Sequence, residues 1–252
     1  MNINANVSQQ SAEQTVREHL AASYRLVAHF GWDDIVATHI SARVPGTHDQ
    51  FFINAYGMMF EEVTASSLVK VNLYGEVIDG SDRPVNPAGF VIHSAIHEAR
   101  QDAGCVMHLH TRDGVAVSAL EKGLYPLNQN ALIIYGDIAY HEFEGIALDL
   151  DERARLQRDL GDRHLMLLRN HGTLTMGETV ASAFMRMYYL ERACESQTQA
   201  LSMNVPVKYP SDEVIAKVAT QASPERLEIS APQKVWPALL RKVARLYPDY
   251  KD

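Results

Sequence analysis

An apolar run, Val106-Met107-His108-Leu109-His110-Thr111, carries two histidines two residues apart. In an extended strand side chains alternate between faces, so His108 and His110 point the same way and can grip one ion. A third imidazole stands in Leu167-Leu168-Arg169-Asn170-His171-Gly172, where a short apolar run ends in a polar residue, a histidine and a glycine able to turn the chain sharply. Three neutral imidazoles that leave one position open make a catalytic metal site, where a closed structural site would use four ligands. Either stretch alone is also what a half-buried strand with incidental histidines looks like. The two together single out His108, His110 and His171 as metal ligands.

The chain of 252 residues can bury a substantial core without disulfide or metal staples. Its formal charge of −8, with no cluster of Lys or Arg, argues against a nucleic-acid surface, which needs a concentrated basic face, and points to small-molecule chemistry. Cys105 lies in an apolar strand pattern and Cys194 in a helical one, so both read as reduced core thiols. Together with a polar Met1–Gln10 that lacks an apolar leader core, this favours a cytoplasmic protein. No stretch approaches the length of an uninterrupted apolar membrane span.

Residues 1–10 are expected to be a flexible tail. Ser11-Ala12-Glu13-Gln14 has the form of a capping box, after which Val16, Leu20, Tyr24, Val27 and Phe30 recur at helical spacing until Gly31 supplies a left-handed stop. Strands over 35–44 and 51–56 flank Pro45-Gly46-Thr47-His48-Asp49 and read as an antiparallel pair; shorter ones, 68–74 and 76–78, flank Gly75. A helix followed by a meander is not the βαβα alternation of a doubly wound sheet. After a proline-dictated loop at 82–89, residues 90–100 read as a helix with His93 and His97 on one face. That spacing is also a metal type, but Glu98 follows the second histidine and no H-E-x-x-H arrangement results.

Thr111 is a natural N-cap for a helix over 112–121, so the histidine pair ends a strand where a helix begins. Residues 132–140 read as a strand broken at Gly136-Asp137, 150–160 as a helix, 164–169 as the strand that delivers His171, and 178–202 as a long helix with a buried stripe. One α/β domain therefore spans about 11–203, followed by a helical extension over 204–252, with helical patterns at 211–221 and 233–246, packed on that domain or on a neighbouring subunit. A cupin also uses H-x-H, but here a helical period, not further strands, follows His110. An amidohydrolase-type barrel needs seven more βα units after its pair, more than the remaining length supplies. His19, His29, His39, His48, His141 and His164 read as surface or cap residues.

His108-Leu109-His110, the loop-borne Asn170-His171-Gly172, the segment from Asn86 to His93, and Gly177 followed by the Leu190-Glu191 helix together resemble the class II aldolase and adducin family, over about Glu13 to Ser202. The resemblance implies a three-layer α/β/α sandwich around a mainly antiparallel central sheet. It implies one divalent cation per chain held by His108, His110 and His171, commonly zinc, with manganese, iron(II) and cobalt as alternatives. It further implies a homotetramer with active sites near subunit interfaces. In the family's sugar-phosphate aldolases, two serines that hold phosphate and the catalytic glutamate occupy the places of Pro87, Ala88 and Gly89. These three offer neither a hydroxyl nor a carboxylate. An early Gly-Asn phosphate contact is also replaced, by Thr38-His39-Ile40-Ser41.

The expected activity is that of a metal-dependent lyase, aldolase-like or a decarboxylase. It would cleave a C–C bond of a small non-phosphorylated chelating hydroxy or keto acid through an enolate-type intermediate. No residue stands out as its acid or base; water, His93 and Tyr135 remain alternatives for protonation. The rival reading follows the adducins: a non-catalytic scaffold or cytoskeleton-binding protein, in which the histidines are a relic or a structural clip.

Overall fold

The computed structural model describes residues 3–252, so Met1 and Asn2 of the expected tail lie outside the described residues. The rest of that stretch is the start of α1, Ile3–Phe30. Residues 3–10 contain no glycine or proline to stop a helix, and Ser11 is an interior residue whose carbonyl accepts from Thr15 Oγ1 at 2.9 Å instead of a cap. The helix ends where expected: Gly31 adopts φ +68° and Trp32 N donates to Val27 O at 3.0 Å.

Seven strands follow in one sheet: β1 His39–Arg43, β2 Gln50–Ile53, β3 Val69–Asn72, β4 Cys105–Leu109, β5 Ile138–His141, β6 Leu165–Leu168 and β7 Gly172–Gly177. Their order is β3-β2-β1-β4-β7-β6-β5, antiparallel throughout except for the parallel β5–β6 pair. The sheet is thus mixed and mostly antiparallel. Of the two short strands expected around Gly75, the second is a single bridge between Val77 and Val71.

Strand alternation assigns the layers. On β1 and β4, Ile40, Ala42, Cys105, Met107 and Leu109 join a buried cluster with α1 and with α6, Val180–Ser202. Val106 faces the other way, into a cluster with α2, Pro87–Ala99, and α5, Glu152–Leu160. His39, Ser41 and His108 share the parity of Val106, so the polar residues of these two strands meet beneath α2. The result is a three-layer α/β/α sandwich.

Several elements differ from the sequence reading. The first turn of α2 takes in residues 87–89: Asn86 caps it by accepting from Ala88 N at 3.1 Å, and Pro87 is pre-set for the first helical position. Residues 132–140 do not form one strand. Asn128 caps α4, Gln129–Ile134, a 3-10 turn spans Tyr135–Asp137, and only then does β5 begin. A short apolar run does not separate strand from helix by period, and the cap at Asn128 decides here. Strand β7 and the helix α8, Pro224–Ser230, were not foreseen.

Thr111 caps α3, Arg112–Ser118, as expected. The extension contains α7, Asp212–Gln221, and α9, Trp236–Leu246, and it folds back on its own chain. Trp236, Val243 and Tyr250 are buried in the cluster that contains α1. Ala65 N donates to Tyr250 O at 3.0 Å, and Arg25 pairs with Asp249 at 2.8 Å. Both cysteines are buried and free. Among the described residues no helix is long and apolar enough to cross a membrane.

Candidate metal centre

Strand β4 delivers His108 and His110 to the α2 face, and the tight turn between β6 and β7 delivers His171. That turn is made by Asn170, at φ +56°, and not by Gly172. Gly172 is needed for proximity: a Cβ there would lie 2.4 Å from Leu109 O and 3.0 Å from His110 Cδ2, so only glycine lets β7 begin against the end of β4. The three rings converge, with centroids 4.7 Å apart for His108–His110 and His108–His171, and 4.8 Å for His110–His171. Their ligand atoms all lie within 4.8 Å of one another, a group that could hold a divalent ion.

Hydrogen bonds behind the triad decide which nitrogens are free. His108 Nδ1 lies 3.0 Å from the Thr173 carbonyl, which can only accept, so Nδ1 carries the proton and Nε2 is bare. His110 Nδ1 donates to Asp34 Oδ2 at 3.1 Å, which leaves Nε2 of the neutral ring bare. The two bare nitrogens face each other at 2.9 Å. Two lone pairs at that distance repel unless a cation joins them, so the donor set fits a divalent metal. Burial, then the neighbouring His171 and His110, hold His108 well below the usual imidazole range; burial and His110 bring His171 down to about 4. Neutral imidazole is the ligating form.

The triad opens on a cavity of about 430 Å³ whose wall includes His39, Tyr56, Ala88, Phe143 and Ile146. Tyr135, one of the expected proton donors, does not line it. His93 and His97, read as a lesser metal-type pair, lie on the buried face of α2 in a chain of hydrogen bonds with His39 and Ser41. His39 and His141 are not surface residues. His39 is 2% exposed, and His141, buried, donates from Nδ1 to Asp159 Oδ2 at 2.7 Å. His39 was legible in principle, since it alternates with Ser41 on a strand; its pairing opposite His108 was not. Asp34 carried no signal, lying in a turn 76 positions from the histidine it orients.

On the opposite side of the sheet Glu191 is buried and accepts from Thr111 and Thr173, the residues next to His110 and two past His171. Burial raises its carboxyl to about 7.

Residues 18–198 match the family described as Class II Aldolase and Adducin N-terminal domain. A protein of Caulobacter vibrioides, named only for its likeness to class 2 aldolases, is 50% identical over 257 residues, covering 100% of this chain and 97% of its own. The chain belongs to the class II aldolase and adducin family. Within it, mouse alpha-adducin is 43% identical over 200 residues, which is 78% of this chain and 27% of that much longer protein. The structure of an L-fuculose 1-phosphate aldolase from Glaciozyma antarctica PI12 superposes with a TM-score of 0.85 at 29% identity, covering 97% of this chain and 94% of that one. The histidine triad on this class II aldolase fold is consistent with a metal-dependent lyase mechanism.

Proposed function

We propose that the protein is a divalent-metal-dependent lyase that breaks a carbon–carbon bond in a small, non-phosphorylated hydroxy or keto acid able to chelate through two oxygens. Zinc is the proposed ion, the cytoplasm the proposed compartment and a homotetramer the proposed assembly. The observation that carries the reading is the pair of bare nitrogens, Nε2 of His108 and of His110, held 2.9 Å apart by partners that fix both tautomers.

A divalent ion bound there supplies charge that stabilises negative charge developing on the substrate's oxygens, an effect worth several kcal/mol in general. The chain's own residues do the rest. Thr173 and Asp34 keep two rings aimed, and all three ligands are imidazoles, so no carboxylate ligand competes with an anionic substrate. Phe143 and Ile146 line the cavity with apolar surface.

The substrate class follows from what is missing. Pro87, Ala88 and Gly89 offer no hydroxyl for a phosphate and no carboxylate for proton abstraction. Loss of carbon dioxide from a chelated acid begins without removal of a proton from carbon, so decarboxylation tolerates that loss best. A tetramer is supported by Phe143, Ile146, Leu148 and Leu150, a largely exposed apolar run beside the cavity that another subunit would cover.

The scaffold reading is favoured by the adducin identity, but a scaffold has no need of two fixed tautomers facing each other. The experiment is incubation of metal-loaded protein with a panel of β-keto, hydroxy-aromatic and aldol acids, following carbon dioxide and aldehyde against a His108→Ala control. Release of neither, together with metal-independent binding of a macromolecular partner, would replace the lyase with the scaffold.

A further inference from the structure

Four buried side chains between α2 and β1 form a hydrogen-bonded relay whose polarity is fixed from one end. His97 Nδ1 faces the carbonyl of Ala103 at 3.0 Å, so it must donate, and His97 Nε2 is left as an acceptor. That nitrogen takes the single proton of the Ser41 hydroxyl at 2.8 Å. Ser41 Oγ has then no proton left for its other neighbour, His93 Nδ1, and accepts from it. His93 Nε2 is therefore bare and accepts from His39 Nδ1 at 2.8 Å. At the end of the relay His39 Nε2 carries a lone pair and no proton. All three imidazoles are neutral: burial holds His39 and His93 well below their ordinary range, and burial with the nearby Arg43 guanidinium holds His97 at about 3.

His39 lines the cavity of the metal triad, its ring 5.2 Å from that of His108, and among the described residues nothing donates to its Nε2. It also fills the place of the absent side chain at position 89, with Cδ2 only 2.6 Å from where a Gly89 Cβ would be. A lone pair that faces the cavity with no protein donor can be completed only by a donor that enters the cavity.

We propose that His39 is a specificity-determining residue. It accepts a hydrogen bond from a hydroxyl of the substrate held at the triad, so the site takes a hydroxy acid in preference to a fully deprotonated dicarboxylate. Ser41, His93 and His97 are the positioning residues that fix its tautomer. This deepens the proposed lyase reading and rests on it for the metal. An oxygen without a proton meets a lone pair at His39 and is disfavoured, whereas a hydroxyl is welcomed, which is the asymmetry by which a fixed polar group discriminates.

The test uses zinc-loaded protein and two small chelators, glycolate, which has a hydroxyl, and oxalate, which has none, with affinities read by calorimetry. His39→Leu should keep the zinc content of the wild type, weaken glycolate about tenfold, and leave oxalate unchanged or tighter. Equal weakening of both probes, or loss of zinc in this variant, would overturn the proposal, the latter by making His39 a ligand. Nitrogen NMR of metal-free, histidine-labelled protein gives a second readout independent of any variant's folding. His39 should be protonated at Nδ1, and Ser41→Ala should release that preference; a wild-type Nε2–H tautomer would refute the assignment. Failure of the metal reading is seen separately, as no zinc uptake by the wild type before any probe is added, and the NMR arm still decides the tautomer.

Discussion

His39 and Gly89 share one volume, and only one of them can have a side chain in it. Replacing glycine by alanine inside a helix ordinarily gains about 0.5–1 kcal/mol. Here the new Cβ would meet the His39 ring at 2.6 Å, so Gly89→Ala is expected to cost about 1–3 kcal/mol instead. In a His39→Ala background the same change should recover its ordinary stabilising sign. Urea unfolding of the four proteins measures the coupling, and strictly additive effects would show that the volume is not shared.

The purified protein should carry about one divalent ion per chain, absent from His108→Ala, His110→Ala and His171→Ala. Asp34→Asn, which keeps the side-chain shape but loses the charge facing His110 Nδ1, should weaken metal affinity by about 10- to 100-fold. Elemental analysis and competition with a chelator read both. Full metal in His171→Ala would end the assignment.

Stability should fall as pH rises through the range set by Glu191. Its carboxyl moves from an ordinary 4.5 to about 7 in the folded chain. Between those values the folded state keeps a proton that the unfolded chain gives up, so each step up in pH favours unfolding, by roughly 3 kcal/mol in all before the effect levels off. Glu191→Gln removes this dependence while retaining a partner for Thr111 and Thr173. The variant should therefore gain on the wild type between pH 5 and 8 in paired thermal melts; a constant gap would show that Glu191 is charged throughout.

Fuculose 1-phosphate and rhamnulose 1-phosphate should not be cleaved at useful rates. A positioned general base typically contributes about a hundred- to ten-thousand-fold, and the phosphate-holding hydroxyls are missing as well. A coupled assay for the aldehyde product settles this, and efficient turnover of either ester would refute the non-phosphorylated substrate class.

Light scattering at micromolar concentration should give a tetramer mass. Ile146→Lys, placed in the exposed apolar run, should shift it to smaller species. A wild-type monomer would remove the assembly from the proposal.

The triad was readable in the chain because alternation on a strand and a histidine beside a glycine are local patterns. The sandwich followed from family resemblance, and the strand pairs on either side of Pro45 were visible in composition. What escaped were features made by distant partners. The role of Gly172 depends on Leu109 O, and the burial of His39 depends on α2 lying across β1. Strand β7, rich in threonine and glycine, buries hydroxyls that bond to α6, as Thr175 Oγ1 does to Ala183 O at 3.0 Å, so its apolar content understated its place in the sheet's interior, beside the central β4.

Arg25 and Asp249 are 224 positions apart, and their pairing has a bearing on biosynthesis. The helix α1 emerges early from the ribosome, yet the face it turns to Trp236 and Val243 has no cover until residues near 250 have been made. The outer layer on that side is begun first and closed last. For most of translation the cluster that contains Leu20, Tyr24 and Val27 lacks Trp236, Val243 and Tyr250, so the apolar face of α1 is incompletely covered until late in synthesis.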